Sequence, residues 1–258
     1  MDPAKFTQGA QSLRRALQVL RVLQHNHERG LRMSDVSKLT GLEIATTHRL
    51  LACMVEEQFA EKNPSTKRYR LGIESMQLGL TAARRTPLLD AVRPTMKRIV
   101  SMSGDTVFLM IRNCDEVMCL HREEGRNRVK EFTISAGGRR LLGISAAGIT
   151  LLATLDDREI EDHVSRNRIM YDMHKMPRAK IWRCIQETRE RGFTEVADTI
   201  THGVAGISTL LPLSASNEIA MSISTSTALF SLEHRRQLAD LLSKGLNLTV
   251  SGPNNAKP

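Results

Sequence analysis

Several groups of residues carry types and spacings with chemical meaning. Ala45-Thr46-Thr47-His48-Arg49 puts short or hydrogen-bonding side chains at the front of a helical pattern. Such a helix can enter a major groove about 12 Å wide without collision. Arg49 presents a planar fork that pairs with guanine O6 and N7 or with a phosphate, and sequence does not separate the two. Thr47 stands at the edge of the apolar stripe and reads as core or as base contact. Lys62, Lys67, Arg68 and Arg70 flank the turn Asn63-Pro64-Ser65-Thr66. Alone, such a basic hairpin reads as a solvated loop; directly behind a helix-turn-helix it reads as a phosphate contact.

A further set suits a small anionic ligand. Ser222 and Ser224, with Ala220 and Ser226, alternate against Ile219, Met221 and Ile223 along one strand. A face of small hydroxyls leaves space for a ligand, although an ordinary solvated face also carries Ser. Ser145-Ala146-Ala147-Gly148 opens a helix. Its first N–H groups lack intrahelical partners and can meet a carboxylate, or Ser145 is simply an N-cap. Gly206 lies on a strand where a side chain would fill a cavity, and Arg139 or Arg140 supplies a cation or stays solvated at a strand edge. Cys114, Cys119 and His121 raise a metal site, because positions 119 and 121 share one face of a regular strand. The competing reading is buried thiols of a reducing compartment, since the four cysteines form no CxxC pair.

Enzyme chemistry finds little support. The eight histidines form no HExxH pair, and the chain has no G-x-S-x-G elbow and no G-x-x-x-x-G-K-[ST] loop. Asp162-His163 and Glu233-His234 are adjacent in sequence and would point apart on a helix. No catalytic residue, metal or cofactor is expected. An enzyme acting on small carboxylates with a nucleic-acid-binding appendage is the alternative from another class; a DNA-binding protein whose second domain only oligomerises is a third.

These residues need elements to hold them. Leu13, Leu17, Leu20 and Leu23, with Ala16 and Val19, predict a first helix ending before Gly30. Ser34 is the expected N-cap of a short second helix, Asp35 to Leu39, stopped at Thr40-Gly41. A third runs from about Glu43 to Glu57, and two strands, Phe59–Lys62 and Lys67–Leu71, form a wing. A linker helix, Leu71 to Ala83, precedes the boundary at Arg84-Arg85-Thr86-Pro87. Beyond it the expected order is helix Leu88–Met102, strands Thr106–Arg112, Glu116–Arg122 and Val129–Ser135, helices Ser145–Leu155, from Asp157, and Arg178–Arg191, strands Val204–Pro212 and Glu218–Thr225, and helix Leu232–Leu246. This is an α+β architecture with an antiparallel sheet flanked by helices. The expected domains are a winged helix-turn-helix over 1–72, a linker helix over 73–87, a ligand-binding domain over 88–250 and a disordered tail over 251–258.

Charge follows the same division. Residues 1–86 hold 14 Lys and Arg against 8 Asp and Glu, so +6 of the net +9 sits on the first third of the chain and points that part toward a polyanion. No stretch approaches the roughly 18 apolar residues of a membrane span, and MDPAKFTQGAQSLRRA lacks the apolar segment of a signal peptide. A cytoplasmic protein without a membrane partner is expected.

Ser12-Leu13-Arg14-Arg15-Ala16-Leu17, Thr46-Thr47-His48-Arg49-Leu50-Leu51, Tyr69-Arg70-Leu71-Gly72 and Met76-Gln77-Leu78-Gly79 together resemble the IclR family of bacterial transcriptional regulators. The resemblance continues in Gly138-Arg139-Arg140-Leu141-Leu142, Ser145-Ala146-Ala147-Gly148, Arg191-Gly192-Phe193, Gly203-Val204 and Ser222-Ile223-Ser224, in the family's order. It implies a winged helix-turn-helix, a linker helix and a GAF-like effector-binding domain; it further implies a homodimer that can pair into a homotetramer, a palindromic double-stranded DNA operator and a small organic acid effector. It puts Ser222 and Ser224 in the effector pocket and gives Arg49 a general phosphate-anchoring role, leaving Ala45, Thr47 and His48 to read sequence. The chain departs from the family pattern at Glu43-Ile44-Ala45 for Pro-Lys-Ser, Leu141 for Pro, Gly148-Ile149-Thr150 for Gly-Lys-Ala, and Val196 for an acid, with Asp198 two residues on.

Overall fold

A computed structural model describes residues 7, 9–84, 88–127, 134–211 and 218–250, in two units, Met1–Thr86 and Pro87–Pro258. In the first, α1 (Gln11–His25) buries Val19 and Leu23. Leu13 and Leu17 belong to the same predicted stripe but are largely exposed, because the second half of the helix does the packing. After Gly30, whose φ of +64° suits a residue without Cβ, Leu31 bridges Tyr69 through both backbone hydrogen bonds. That extended residue sets where α2 (Met33–Thr40) begins. Ser34 is therefore inside the helix rather than its N-cap: Arg32 holds the cap position, and its N–H donates to the Asp35 carboxylate at 3.1 Å.

Gly41, at φ +67°, ends α2 and turns the chain into α3 (Ile44–Glu56). Ser37 Oγ donates to Leu42 O at 2.7 Å and fixes the turn. β1 (Ala60–Lys62) and β2 (Tyr69–Leu71) pair antiparallel and are shorter than expected, the ladder ending at Lys62↔Tyr69. Asn63 Oδ1 accepts from the Ser65 and Thr66 N–H groups and closes the wing turn. Gly72 follows: a Cβ there would lie 2.2 Å from Gln58 O, so the wing exit passes against the α3–β1 turn only as glycine. α4 (Ile73–Arg84) carries Ile73, Met76, Leu78 and Leu80 largely exposed.

The second unit opens with α5 (Leu88–Ser103). Then come β3 (Thr106–Asn113), β4 (Glu116–Glu123), β5 (Arg139–Leu141), α6 (Ala146–Leu152), α7 (Asp157–Arg166), α8 (Arg168–Met173), α9 (Arg178–Arg191), β6 (Phe193–Ala197), β7 (Val204–Leu210), β8 (Ile219–Ser226) and α10 (Leu232–Val250). The six strands form one antiparallel sheet in the order β5-β4-β3-β8-β7-β6. Val107, Leu109, Ile207, Met221 and Ile223 pack one face with α5 and α10. Phe108, Met110, Val117, Cys119 and Ala220 pack the other with α6 to α9.

The structure adds three elements to the sequence expectation: β5, which carries two arginines; β6, whose polar Thr194 and Glu195 dilute its strand signal; and the six-residue α8. The expected strand over 129–135 lies mostly outside the described residues, and Ile134 and Ser135 are not in strand. The expected tail over 251–258 also lies outside them. α6 ends at Leu152 rather than Leu155.

Candidate functional site

In the first unit, α3 separates its residues by face. Leu51 and Met54 are buried, while Ala45, His48 and Arg49 are exposed and Thr46 is half-buried. Thr47 is fully buried and its hydroxyl donates to Glu43 O at 3.0 Å. It is a core residue rather than a base contact: at i and i+4 it stacks with Leu51 on the stripe facing the unit's interior. The helix thus presents two small or hydroxylated side chains, an imidazole and a guanidinium along one outward edge, a shape and donor set that suit base edges and phosphates.

The four wing cations divide. Lys62 and Lys67 are exposed, and Lys62 Nζ lies 5.3 Å from the centroid of the Tyr69 ring, a cation–π contact. Arg68 donates to Gly30 O at 2.7 Å and Arg70 to Glu28 O at 2.9 Å. These two tie the wing to the α1–α2 turn. Each guanidinium has further donors, so the tie leaves capacity for a phosphate.

In the second unit, a cleft of about 610 Å³, its open mouth included, lies on the sheet face that meets α6. Ser145, Ala146, Ala147, Gly206, Ser222 and Ser224 all line it. The fold explains why. Gly143, at φ +85°, turns the chain from β5 into α6, and a Cβ there would lie 2.6 Å from the Tyr171 hydroxyl. Tyr171 in turn donates to Leu142 O at 2.7 Å and holds this turn. Ser145 is the N-cap, its Oγ accepting from Gly148 N at 3.0 Å, and it borders the cleft from that position. Gly206 pairs with Ser224 across β7 and β8, and Ser208 with Ser222, which sets the small side chains beside one another.

Sequence reasoning missed much of the remaining wall. Phe108, Met110, Ile134, Val196 and Ile200 make it largely apolar, and Thr199 and Thr201 add hydroxyls from the β6–β7 loop. The alternation of β3 could have indicated Phe108 and Met110; the loop carries no pattern. Val196 lines the cleft, whereas Asp198 Oδ1 accepts from Gly203 N at 2.6 Å and closes the loop. Arg140 also lines the cleft rather than remaining solvated. Burial pushes its guanidinium down from the ordinary value, while the nearby Cys119 acts in the opposite sense. Burial pushes the Cys119 thiol up to about 11 against the pull of Arg122 and Arg140, so it is a protonated core thiol.

Cys114, Cys119 and His121 do not converge. A β-bulge in β4 shifts the register between Leu109 and Met110, so Cys119 pairs with Met110 but His121 pairs with Leu109. The extra residue reverses the face, and His121 Nε2 lies 2.8 Å from Glu123 Oε1 on the α5 side, where Arg93 also meets Glu123. Cys114 is exposed at the β3–β4 turn. Among the described residues, no group of three or more His, Cys, Asp or Glu gathers as a metal site.

A winged helix-turn-helix followed by an α+β unit with its own cleft defines a two-domain transcriptional regulator. A model of the IclR helix-turn-helix domain matches residues 12–64, and one of the bacterial transcriptional regulator IclR C-terminal domain matches residues 80–246. The chain belongs to the IclR family. It is 25% identical over 225 residues to the HTH-type transcriptional regulator BhcR of Paracoccus denitrificans, covering 86% of this chain and 79% of that one. To the HTH-type transcriptional repressor AllR of Klebsiella pneumoniae it is 29% identical over 154 residues, 60% of this chain and 56% of that one. An IclR family regulator from Brucella abortus superposes with a TM-score of 0.82 at 17% identity, covering 100% of this chain and 95% of that one. An IclR homologue from Microbacterium hydrocarbonoxydans, solved with 4-hydroxybenzoate, does so with a TM-score of 0.75 at 20% identity over 92% and 97%. At such identities the structural likeness establishes the shared fold. No helix among the described residues is long and apolar enough to cross a membrane.

Proposed function

We propose that this regulator binds a palindromic double-stranded DNA operator as a homodimer, able to pair into a homotetramer, and that a small organic acid in the C-terminal cleft controls that binding. The observation that carries the reading is the cleft itself, where hydroxyls of Ser222 and Ser224, small side chains at Ala146, Ala147 and Gly206, and one guanidinium meet on an apolar wall. The 4-hydroxybenzoate bound by a protein of the same fold fits this ligand class. On the DNA side, Ala45, Thr46, His48 and Arg49 face outward on α3, with Lys62 and Lys67 on the wing, consistent with the +6 excess of this part of the chain. The outward apolar side chains Leu13 and Leu17 on α1 and Met76 and Leu80 on α4 support association with a second copy.

Footprinting on the DNA that flanks the protein's own gene tests the reading, with and without a panel of small carboxylates. The expected result is protection of two half-sites about one helical turn, or a multiple of it, apart, altered by one acid. With six to ten phosphate contacts, affinity falls about 1,000-fold or more between 50 and 200 mM salt. Binding that is flat across that range would remove the electrostatic part of the reading. Operator binding indifferent to every acid, with no acid shifting the melting temperature, would leave a C-terminal domain that only oligomerises.

A further inference from the structure

We infer that Glu43 and Ile44 set part of the operator sequence: Ile44 contacts the 5-methyl group of a thymine, and Glu43 accepts from the N4 amino group of a cytosine in the adjacent base pair. This rests on the operator reading above and adds two residues that read bases and which bases they read.

The start of α3 carries the inference. Ile44 is the first residue of the helix and is 50% exposed, although its side chain is wholly apolar. The stripe that packs inward is Thr47, Leu51 and Met54. At i and i+4, Ile44 stands one turn ahead of His48, as Ala45 stands one turn ahead of Arg49. The outward edge of α3 therefore begins with two apolar side chains and continues with two that form hydrogen bonds. In a helix-turn-helix the N-terminal residues of the second helix meet the base edges, so Ile44 and Ala45 come first to the groove. The apolar group that a base pair presents there is the thymine methyl. Against guanine O6 and N7 the same isoleucine would displace water from two acceptors and offer no donor, so it also selects against that base.

Glu43 is the N-cap, exposed, with extended backbone at φ −59° and ψ 147°, and its side chain makes no capping hydrogen bond. Glutamate is not among the favoured caps. The helix end is closed instead by Thr47, whose N–H and hydroxyl both donate to Glu43 O, at 2.9 and 3.0 Å. The carboxylate is an acceptor only, and its charge runs against the +6 excess of this part of the chain. In the groove it is repelled by guanine O6 and thymine O4, and adenine sets an N7 acceptor beside its N6 donor; cytosine N4 is the partner that fits. Consecutive Cα atoms lie about 3.8 Å apart and stacked base pairs about 3.4 Å, so the two side chains address neighbouring pairs.

The test is selection of bound sequences from random double-stranded DNA by the full chain, with Ile44→Ala and Glu43→Gln beside the wild type, then affinity measurement on the selected operator at one salt concentration. The wild type is expected to fix a thymine and a neighbouring cytosine in each half-site. Replacing that thymine by deoxyuridine, which deletes only the methyl group, weakens wild-type binding about fourfold, the value of one buried methyl, and leaves Ile44→Ala binding unchanged. The preference for cytosine, at least about fivefold over each other base in the wild type, falls to about one in Glu43→Gln while the rest of the consensus stands. A glutamate acting only on the helix dipole would instead alter stability and keep the base preference. Deoxyuridine tolerated at every fixed thymine overturns the assignment of Ile44, and a cytosine preference kept by Glu43→Gln overturns that of Glu43, both leaving the operator reading intact. The deoxyuridine arm uses wild-type protein and stands even if a variant does not fold. If the wild type selects no consensus, the operator reading fails and the assignment falls with it.

Discussion

Replacing Gly206 tests the cleft through two readouts of opposite sign. A Cβ at this position would lie 3.4 Å from Ala146 Cβ and from Ile223 O and 3.9 Å from Ser224 Oγ, ordinary contact that nothing needs to move to accept. Its φ is outside the left-handed region, so Gly206→Ala should stabilise the ligand-free protein, by up to about 1 kcal/mol, because glycine in a strand loses the most backbone freedom on folding. Gly206→Val adds two methyl groups at the wall where the ligand is proposed to sit. For the wild type at a ligand concentration 100 times Kd, binding contributes about 2.7 kcal/mol, or about 5–11 °C in Tm for a unit of this size. If Val weakens affinity 100-fold, the same ligand concentration equals the new Kd and the contribution falls to about 0.4 kcal/mol, a shift of roughly 1–2 °C. The assay is thermal unfolding of wild type, Ala and Val variants with and without the small carboxylate that shifts the wild type most. A Val variant that keeps the wild-type shift would refute the placement of the ligand beside Gly206. An Ala variant less stable than wild type by more than about 1 kcal/mol would refute the claim that this wall is open.

Other perturbations address the elements around these sites. Gly72→Ala should destabilise the winged unit by about 1–3 kcal/mol, since its Cβ would meet Gln58 O at 2.2 Å and backbone must shift; urea unfolding checks it, and an unchanged midpoint counts against the close approach. In the wing, Arg68→Met should cost about 1 kcal/mol of stability by losing its bond to Gly30 O, whereas Lys67→Met should leave stability within about 0.5 kcal/mol and lower the salt slope of DNA binding; identical effects on both readouts would undo the division of roles. Partial burial by itself would raise the Asp115 carboxyl, but hydrogen bonds and charge from Arg166 and His163 outweigh it and hold the group at about 2. Its folded value lies below the unfolded 3.8, so this stabilisation is present above about pH 4 and is lost as pH falls toward 2. With 42% of the side chain exposed, it amounts to about 1 kcal/mol after screening, and the gap between wild type and Asp115→Asn in chemical unfolding should close across that window. A gap constant from pH 6 to pH 2 would show that charge is not its source.

The helices of the winged unit were legible because their periodicity is set by burial that repeats every turn, as with Leu51 and Met54 on α3 and Val19 and Leu23 on α1. The alternation of β8 was legible for the same reason: Ile219, Met221 and Ile223 are packed on one face while Ser222 and Ser224 border the cleft on the other. What escaped depends on partners distant in sequence. Thr47 is ambiguous by composition and is decided only by what α3 packs against. Arg68 and Arg70 look like any wing cations until the α1–α2 turn is brought beside them. The Thr199–Thr201 wall belongs to a loop whose position is set by the pairing of β6 with β7, and no local period announces a loop. Ser34 had the right chemistry for a cap, but the bridge from Leu31 to Tyr69 moved the helix start.

Charge placement in the C-terminal unit turns on single-residue register. The bulge in β4 sends His121 and Glu123 to the α5 side and returns Arg122 to the cleft face, although Cys119 and His121 would share a face in a regular strand. In β5 the neighbours Arg139 and Arg140 occupy opposite faces for the same reason, and a slip of one residue against β4 would exchange them. The Arg139–Glu116 ion pair and the Leu142 N–H donating to Asp115 O at 3.0 Å both favour the observed register. Asp115 is itself held by His163 and Arg166 from α7, so the turn between β3 and β4, the register of β5 and the cation in the cleft form one connected structure. Which of two adjacent arginines faces the cleft therefore depends on these register contacts and not on how many arginines the strand carries.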